Sequence, residues 1–156
     1  FFVTTDFIGS SQVPWWDAEE GIASHWMDWQ DVRQLAADGF EIGSHTVHHA
    51  DLGKVRGDEA YREITDSKSR LESELQREVT LFAYPYGGRP HLDEANRALV
   101  RKAGYACCVS AFGGSVRSGT DPFRIRRTPV SPWYLSPYQF GFETVLAHVR
   151  DGHAAG

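Results

Sequence analysis

Two histidines, His45 and His49, are separated by three residues and follow directly on residues 40–44, a stretch of strand length that ends in turn-permissive residues. If the chain turns as a helix straight after that strand, both imidazoles lie on one face, one turn apart, where two ring nitrogens can reach one cation. A pair at this spacing also arises by chance in a polar surface loop. Its place at a strand end tips the reading toward metal. His48, between the two, is expected to support the pair from behind or to face solvent. Thr46 is expected to hold the His-bearing turn through its hydroxyl or to close a local turn.

A second constellation is Phe82, Ala83, Tyr84, Pro85, Tyr86 and Gly87. Proline sets its own φ, pushes the preceding residue to extended geometry, and is followed here by a glycine that permits close approach of another chain or a ligand. A backbone held this rigidly can aim N–H groups, and an N–H at Tyr86 would suit an acyl carbonyl gaining negative charge. Tyr84 and Pro85, in the same turn, are read as facing substrate. Among the other aromatics Trp26, Trp29 and Trp133 are expected mostly in the core. Trp15 and Trp16, in a stretch rich in Gly, Pro and Ser with no apolar periodicity, are the best candidates for exposed rings that stack on a ligand.

These groups need elements to position them. Phe1 to Thr5 reads as the middle or end of a buried strand, which implies that something precedes it. Asp28 is the expected N-cap of a helix over 29–38 that ends at Gly39. A helix over 58–76 carries Tyr61, Ile64, Leu71 and Leu75 as its apolar marks, with Glu63, Asp66, Lys68, Arg70, Glu72 and Glu74 on its wet side. Residues 79–83 and 105–109 read as strands. A helix over 93–103 turns Ala95, Leu99 and Ala103 inward, 123–130 is strand-like and rich in Arg, and 138–149 is a last helix. Alternating strands and helices predict an α/β fold of parallel β-α units, with the functional loops at the carboxyl ends of the strands.

Composition sets the outer bounds. The 156 residues carry 16 basic and 21 acidic side chains, a net charge of −5, with 41% hydrophobic and 13% aromatic content. That is globular composition, read as a single domain over 1–156. Mild acidity without a block of Lys or Arg argues against nucleic acid as a partner. No apolar run reaches the roughly 20 residues a membrane span requires. Cys107 and Cys108 are adjacent and build no disulfide framework, which leaves the compartment open.

In order and spacing these motifs resemble the polysaccharide deacetylases with the NodB-like domain, carbohydrate esterase family 4. The likeness runs through Phe1-Phe2-Val3-Thr4, Met27-Asp28-Trp29, the run from Gly39 to Thr46 with His49, residues 82–87, and Gly104-Tyr105. It implies an irregular (β/α)7-type barrel, incomplete at the N-terminus. It also implies a divalent cation, usually zinc, on His45 and His49, and hydrolytic removal of acetyl groups from acetylated polysaccharides such as N-acetylglucosamine polymers, with Tyr86 N–H at the oxyanion. The family's paired aspartates would lie before Phe1, so the chain is expected to be inactive or weakly active without them, with Asp6 a substitute ligand or, more simply, a turn former. Ala83 stands where many members have Arg, and Ala50 where Pro is common. Leu146-Ala147-His148 fits the letters of a late family motif but falls in an amphipathic helix, so His148 is read as surface, as are His25, His91 and His153. The rival expectations are a non-catalytic glycan-binding remnant of the same fold, and an assembly partner, with a dimer as one form, in which the histidines are structural. Arg124, Arg126 and Arg127 suggest a solvated face or, less simply, contact with an anionic glycan.

Overall fold

The computed structural model describes residues 1–23, 25–128 and 136–153, without the side chains of Trp16, Glu143 and residues 147–153. Four short strands, β1 (Phe2–Val3), β2 (Gly43–Ser44), β3 (Leu81–Ala83) and β4 (Cys107–Val109), alternate with helices α1 (Trp15–Glu19), α2 (Trp29–Ala37), α3 (Gly57–Leu75), α4 (Glu94–Lys102) and α5 (Pro137–His153). All the strands pair in parallel, in the order β1-β2-β3-β4. The α/β expectation therefore holds. Closure into a barrel is not formed by these strands, which make an open arc with β1 at one edge and Ile125 bridging β4 at the other.

Local chemistry explains the boundaries. Asp28 accepts the N–H groups of Gln30 and Asp31 while Asp31 reaches back to the Asp28 N–H, a reciprocal cap that starts α2 where expected. Asp93 caps α4 in the same way through the Asn96 N–H. Gly43 is glycine because a Cβ there would stand 2.5 Å from the Phe2 ring, so β1 and β2 could not approach. The strands are shorter than their apolar runs because the flanking residues leave the ladder for turns. The 123–130 expectation is corrected: Pro122–Arg124 is a 3₁₀ turn, Ile125 makes a single bridge, and residues 129 and 130 lie outside the described residues.

The helices cover one face of the sheet. Ile64, Leu71, Phe82, Val100 and Cys108 are fully buried, and each large apolar side chain so removed from water contributes about 1.5–3 kcal/mol. Polar ties fix α3 on the strands: Ser44 Oγ meets Ser67 Oγ at 2.7 Å, and Tyr105 OH donates to the Ile64 carbonyl at 3.0 Å. Three sequence assignments fail on α3 and α4. Tyr61 is exposed, Ala95 is exposed while Asn96 is buried, and Glu63 lies inside rather than on the wet face. Asn96 is inside because its amide donates to the Leu52 and Val55 carbonyls at 2.8 and 2.9 Å, which satisfies it there.

Candidate active site

Parallel strands bring their carboxyl ends to one edge, and the segments after β1, β2 and β3 meet there. His45 follows β2 and continues the ladder, donating its N–H to the Val3 carbonyl at 3.0 Å. Its ring nitrogen Nδ1 lies 2.7 Å from the Ala83 carbonyl at the end of β3. A carbonyl only accepts, so Nδ1 carries the proton and Nε2 is left with the lone pair. Burial pushes the His45 pKa down to about 4, against the smaller upward pull of the Ala83 carbonyl and with His49 and Arg127 adding to the decrease. The ring is neutral at ordinary pH and its outer nitrogen is a ligand or base.

The segment after His45 is not helical, which corrects the geometric premise. Thr46 and His49 both take left-handed backbone, φ 68° and 60°, and the chain reverses tightly. The two rings nevertheless meet edge to face at 4.9 Å between centroids, with 70° between their planes. Burial also lowers the His49 pKa. Thr46 is fully buried, and its Oγ1 accepts the Ala50 N–H at 3.1 Å, closing the loop locally.

Glu63, which the sequence reading placed in water, is the brace of this loop. Its Oε2 accepts the N–H groups of Val47 and His48, each at 3.0 Å, and its Oε1 meets His48 Nδ1 at 2.5 Å. The hydrogen bond that His48 donates to Glu63 raises its pKa, with the Glu63 and Asp6 charges adding to it against desolvation. A signal was present. Glu63 falls on the same helical stripe as Ala60, Ser67 and Leu71, all buried. His48 itself is exposed, and Asp6 Oδ2 approaches its Nε2 at 4.0 Å.

After β3 the chain makes a three-residue turn, Gly87 N–H to the Pro85 carbonyl at 2.6 Å, with Tyr86 at its centre and φ 61°. Non-glycine residues seldom hold such backbone, and it clusters at functional sites. The Tyr86 ring packs edge-on to His49 at 4.8 Å and against His91 at 5.1 Å. Its N–H meets no acceptor among the described residues. His91 is not a plain surface residue: its Nδ1 lies 2.9 Å from the largely buried Asp51 carboxylate.

Tyr84 and Pro85 lie beneath the turn rather than beside the two imidazoles. Both are buried, Tyr84 because it follows Phe82 by two and so shares the helix-covered face of the strand, where the Cys108 thiol donates to its hydroxyl. Trp15 is exposed on the short α1. The Trp16 side chain and Trp133 lie outside the described residues, as does the His148 side chain. Trp26 lines a cavity of ≈ 270 Å³ with Phe7, Ile8 and Met27, and that cavity is bounded by His45 and His49. This apolar chamber beside two neutral imidazoles can exclude water from a reacting group.

Could the pair hold a cation? Two imidazoles with one nitrogen already oriented fit two positions of a zinc-type site. Among the described residues no third His, Cys, Asp or Glu groups with them.

Comparisons with known proteins bear on the family and the fold. The sequence profile of the family Polysaccharide deacetylase matches residues 1–108. A Bacillus subtilis (strain 168) protein named "Putative polysaccharide deacetylase YxkH" is 25% identical over 108 residues, 69% of this chain and 38% of its own length. In structure the chain is similar to the Streptococcus pyogenes deacetylase PplD in complex with acetate, with TM-score 0.67 and 22% identity over 82% of this chain and 54% of that one. It is also similar to IcaB from Ammonifex degensii, with TM-score 0.66 and 20% identity over 94% and 59%. The chain thus spans about 38% of the curated relative and 54% to 59% of the two solved ones.

Proposed function

The chain belongs to the polysaccharide deacetylase family, and from that premise we propose that it supplies the histidine side of a metal-dependent site that hydrolyses acetyl groups from acetylated polysaccharides such as N-acetylglucosamine polymers. Its strands would form one arc of an irregular seven-unit barrel. His45 and His49 would hold the cation, and zinc suits their imidazole nitrogens best. Such a cation polarises an acyl carbonyl and lowers the pKa of water.

The residues of the chain divide the remaining work. His45 presents Nε2 in a fixed tautomer because Ala83 holds Nδ1. Glu63 and Thr46 keep the strained loop in place so that His49 stays against His45. The Tyr86 N–H donates to the oxygen that becomes negative as the acetamide carbonyl is attacked. Phe7, Ile8, Trp26 and Met27 keep water away from the acetyl methyl, and exposed Trp15 offers a flat ring to a pyranose. The observation that carries this reading is the edge-to-face His45–His49 pair, neutral and oriented, at the carboxyl ends of parallel strands.

The test is acetate release from chitotetraose, together with zinc content by mass spectrometry, for the natural protein and its His45→Ala/His49→Ala variant. The expected result is loss of bound zinc and a fall of about a thousandfold or more in acetate release. Zinc retained at wild-type stoichiometry in the double variant would sink the assignment. The absence of a third ligand group among the described residues favours a second reading, a glycan-binding remnant. It predicts chitotetraose binding with no acetate released by the wild-type protein.

A further inference from the structure

A second cavity, of ≈ 570 Å³, lies apart from the one beside the histidines. It lies between α4, the turn after β3 and the loop after β4. Five arginines line it, Arg89, Arg97, Arg117, Arg124 and Arg126, with Phe112, and the one carboxylate among its lining residues is Asp121. In a chain of net charge −5 this is a strong local reversal.

The carboxylates at hand do not neutralise it. Glu94 pairs with both Arg97 and Arg124, and Asp121 is shared by Arg124 and Arg101. Arg89 and Arg117 form no ion pair among the described residues. Arg89 stands 4.7 Å from the centre of the Phe112 ring and Arg126 5.5 Å, which orients the two guanidinium groups on a shared aromatic plate. Arg97 also lines the cavity, but its side chain is 13% exposed and paired with Glu94, so Arg89 and Arg117 are the cations left to meet a carboxylate.

The cavity also adjoins the candidate site. Arg89 and His91 share one 3₁₀ turn, the His91 ring packs on Tyr86, and Tyr86 packs on His49. A polymer whose acetamide lies at the histidines would pass this turn as it continues along the face. Resting on the deacetylase reading for its polymer, we propose that the cavity is a subsite for a carboxylate-bearing sugar unit of the same polysaccharide, so that the preferred substrate is an acidic N-acetylated glycan rather than a neutral one.

Two oligosaccharides with the same acetamide separate the cases: a hyaluronan tetrasaccharide, which alternates N-acetylglucosamine with glucuronate, and neutral chitotetraose. The acidic ligand is expected to bind about tenfold more tightly at low salt, and the advantage should shrink as salt screens it. In the Arg89→Gln/Arg117→Gln variant the affinity ratio should fall to near one, while Arg89→Lys/Arg117→Lys should keep part of it. An unchanged thermal transition shows that the variants fold. Equal affinity for the two sugars in the wild-type protein, or an unchanged ratio in the Gln variant, overturns the proposal. So does inorganic phosphate binding as tightly as the tetrasaccharide, which would make this a small-anion site. Zinc content of the wild-type protein and of its His45→Ala/His49→Ala variant reports separately on the deacetylase reading: equal zinc in the two, together with the acidic preference, would sink that reading and leave the carboxylate preference of this cavity standing.

Discussion

The two loops that meet at the candidate site carry the same kind of strain and hold it differently. After β2, Thr46 and His49 are left-handed; after β3, Tyr86 is. The histidine loop has backbone bonds from the Thr5 and Asp6 N–H groups and is further tied by side chains, with Glu63 on two backbone N–H groups, Thr46 on a third, and the Ala83 carbonyl on the His45 ring. The tyrosine turn has backbone bonds and packing: Pro85 is buried beneath it, Gly87 lies flush against Ala111, and the Ala111 N–H donates to the Gly87 carbonyl at 2.8 Å. Left-handed backbone costs of order 1–3 kcal/mol at each such residue, so each loop persists only while its support does. A loop that must present two ligands in register is held by directional bonds, whereas a turn that presents one N–H is held by shape.

The contrast breaks first at Glu63. Glu63→Ala strands the Val47 and His48 N–H groups in a largely buried place, and the expected loss is about 3 kcal/mol of unfolding free energy, since each orphaned donor costs about 1–3. Glu63→Gln keeps one acceptor oxygen and should lose roughly half as much. Urea denaturation of both variants checks this. Equal small losses would mean that packing alone holds the histidine loop as well. The tyrosine turn breaks at Gly87, which has φ 65° and would place a Cβ 2.7 Å from both the Cβ and the N of Ala111. Gly87→Ala should cost about 2 kcal/mol by the same measurement. It should also slow acetate release with little change in zinc content, whereas Glu63→Ala lowers the zinc content. A Gly87→Ala variant of wild-type stability would show that Ala111 yields and that the turn is not held by shape.

The sequence made one of these supports visible and hid the other. Pro85, Tyr86 and Gly87 announce a fixed turn because each acts on its own backbone, so the turn could be read without knowing what packs on it. His45 and His49 were legible as a pair, but through a helical spacing that the chain does not use; two left-handed residues achieve the same meeting. Glu63 was read as wet because a carboxylate on a polar helix usually is, and its partners lie 15 and 16 residues away on another element. Only its place on the stripe with Ala60, Ser67 and Leu71 marked it. The parallel α/β order was legible from alternating elements, while strand lengths were not, because apolar residues continue past the ladder into turns. Tyr84 misled for a related reason. It shares a turn with Tyr86, but strand alternation carries its ring to the helix side.

The finest separation of the bonded loop from the packed turn is by pH, in protein stripped of metal. His45 has its pKa lowered to about 4 by burial. Between the ordinary histidine value near 6.5 and that value, the unfolded chain binds a proton that the folded chain refuses, so stability must fall as pH falls through this window. His48 has the opposite sign. Its pKa is raised by Glu63, so its contribution is present in full below 6.5 and is lost as pH rises through the folded value. Glu63 is buried but the His48 imidazole is 62% exposed, so solvent screens their interaction and the buried His45 ring should dominate. The expected net loss between pH 7 and pH 5.5 is about 1 kcal/mol. His45→Gln should flatten it in part, leaving the loss due to His49, whose pKa burial also lowers, and His48→Gln should steepen it, because the favourable protonation at Glu63 is then gone. If both variants flatten the profile, the two rings titrate alike and the bond between Glu63 and His48 is not the one that sets the loop. The tyrosine turn has no part in this dependence: Gly87→Ala should shift the whole profile down without changing its slope, since shape, unlike a charged tie, has no proton to lose.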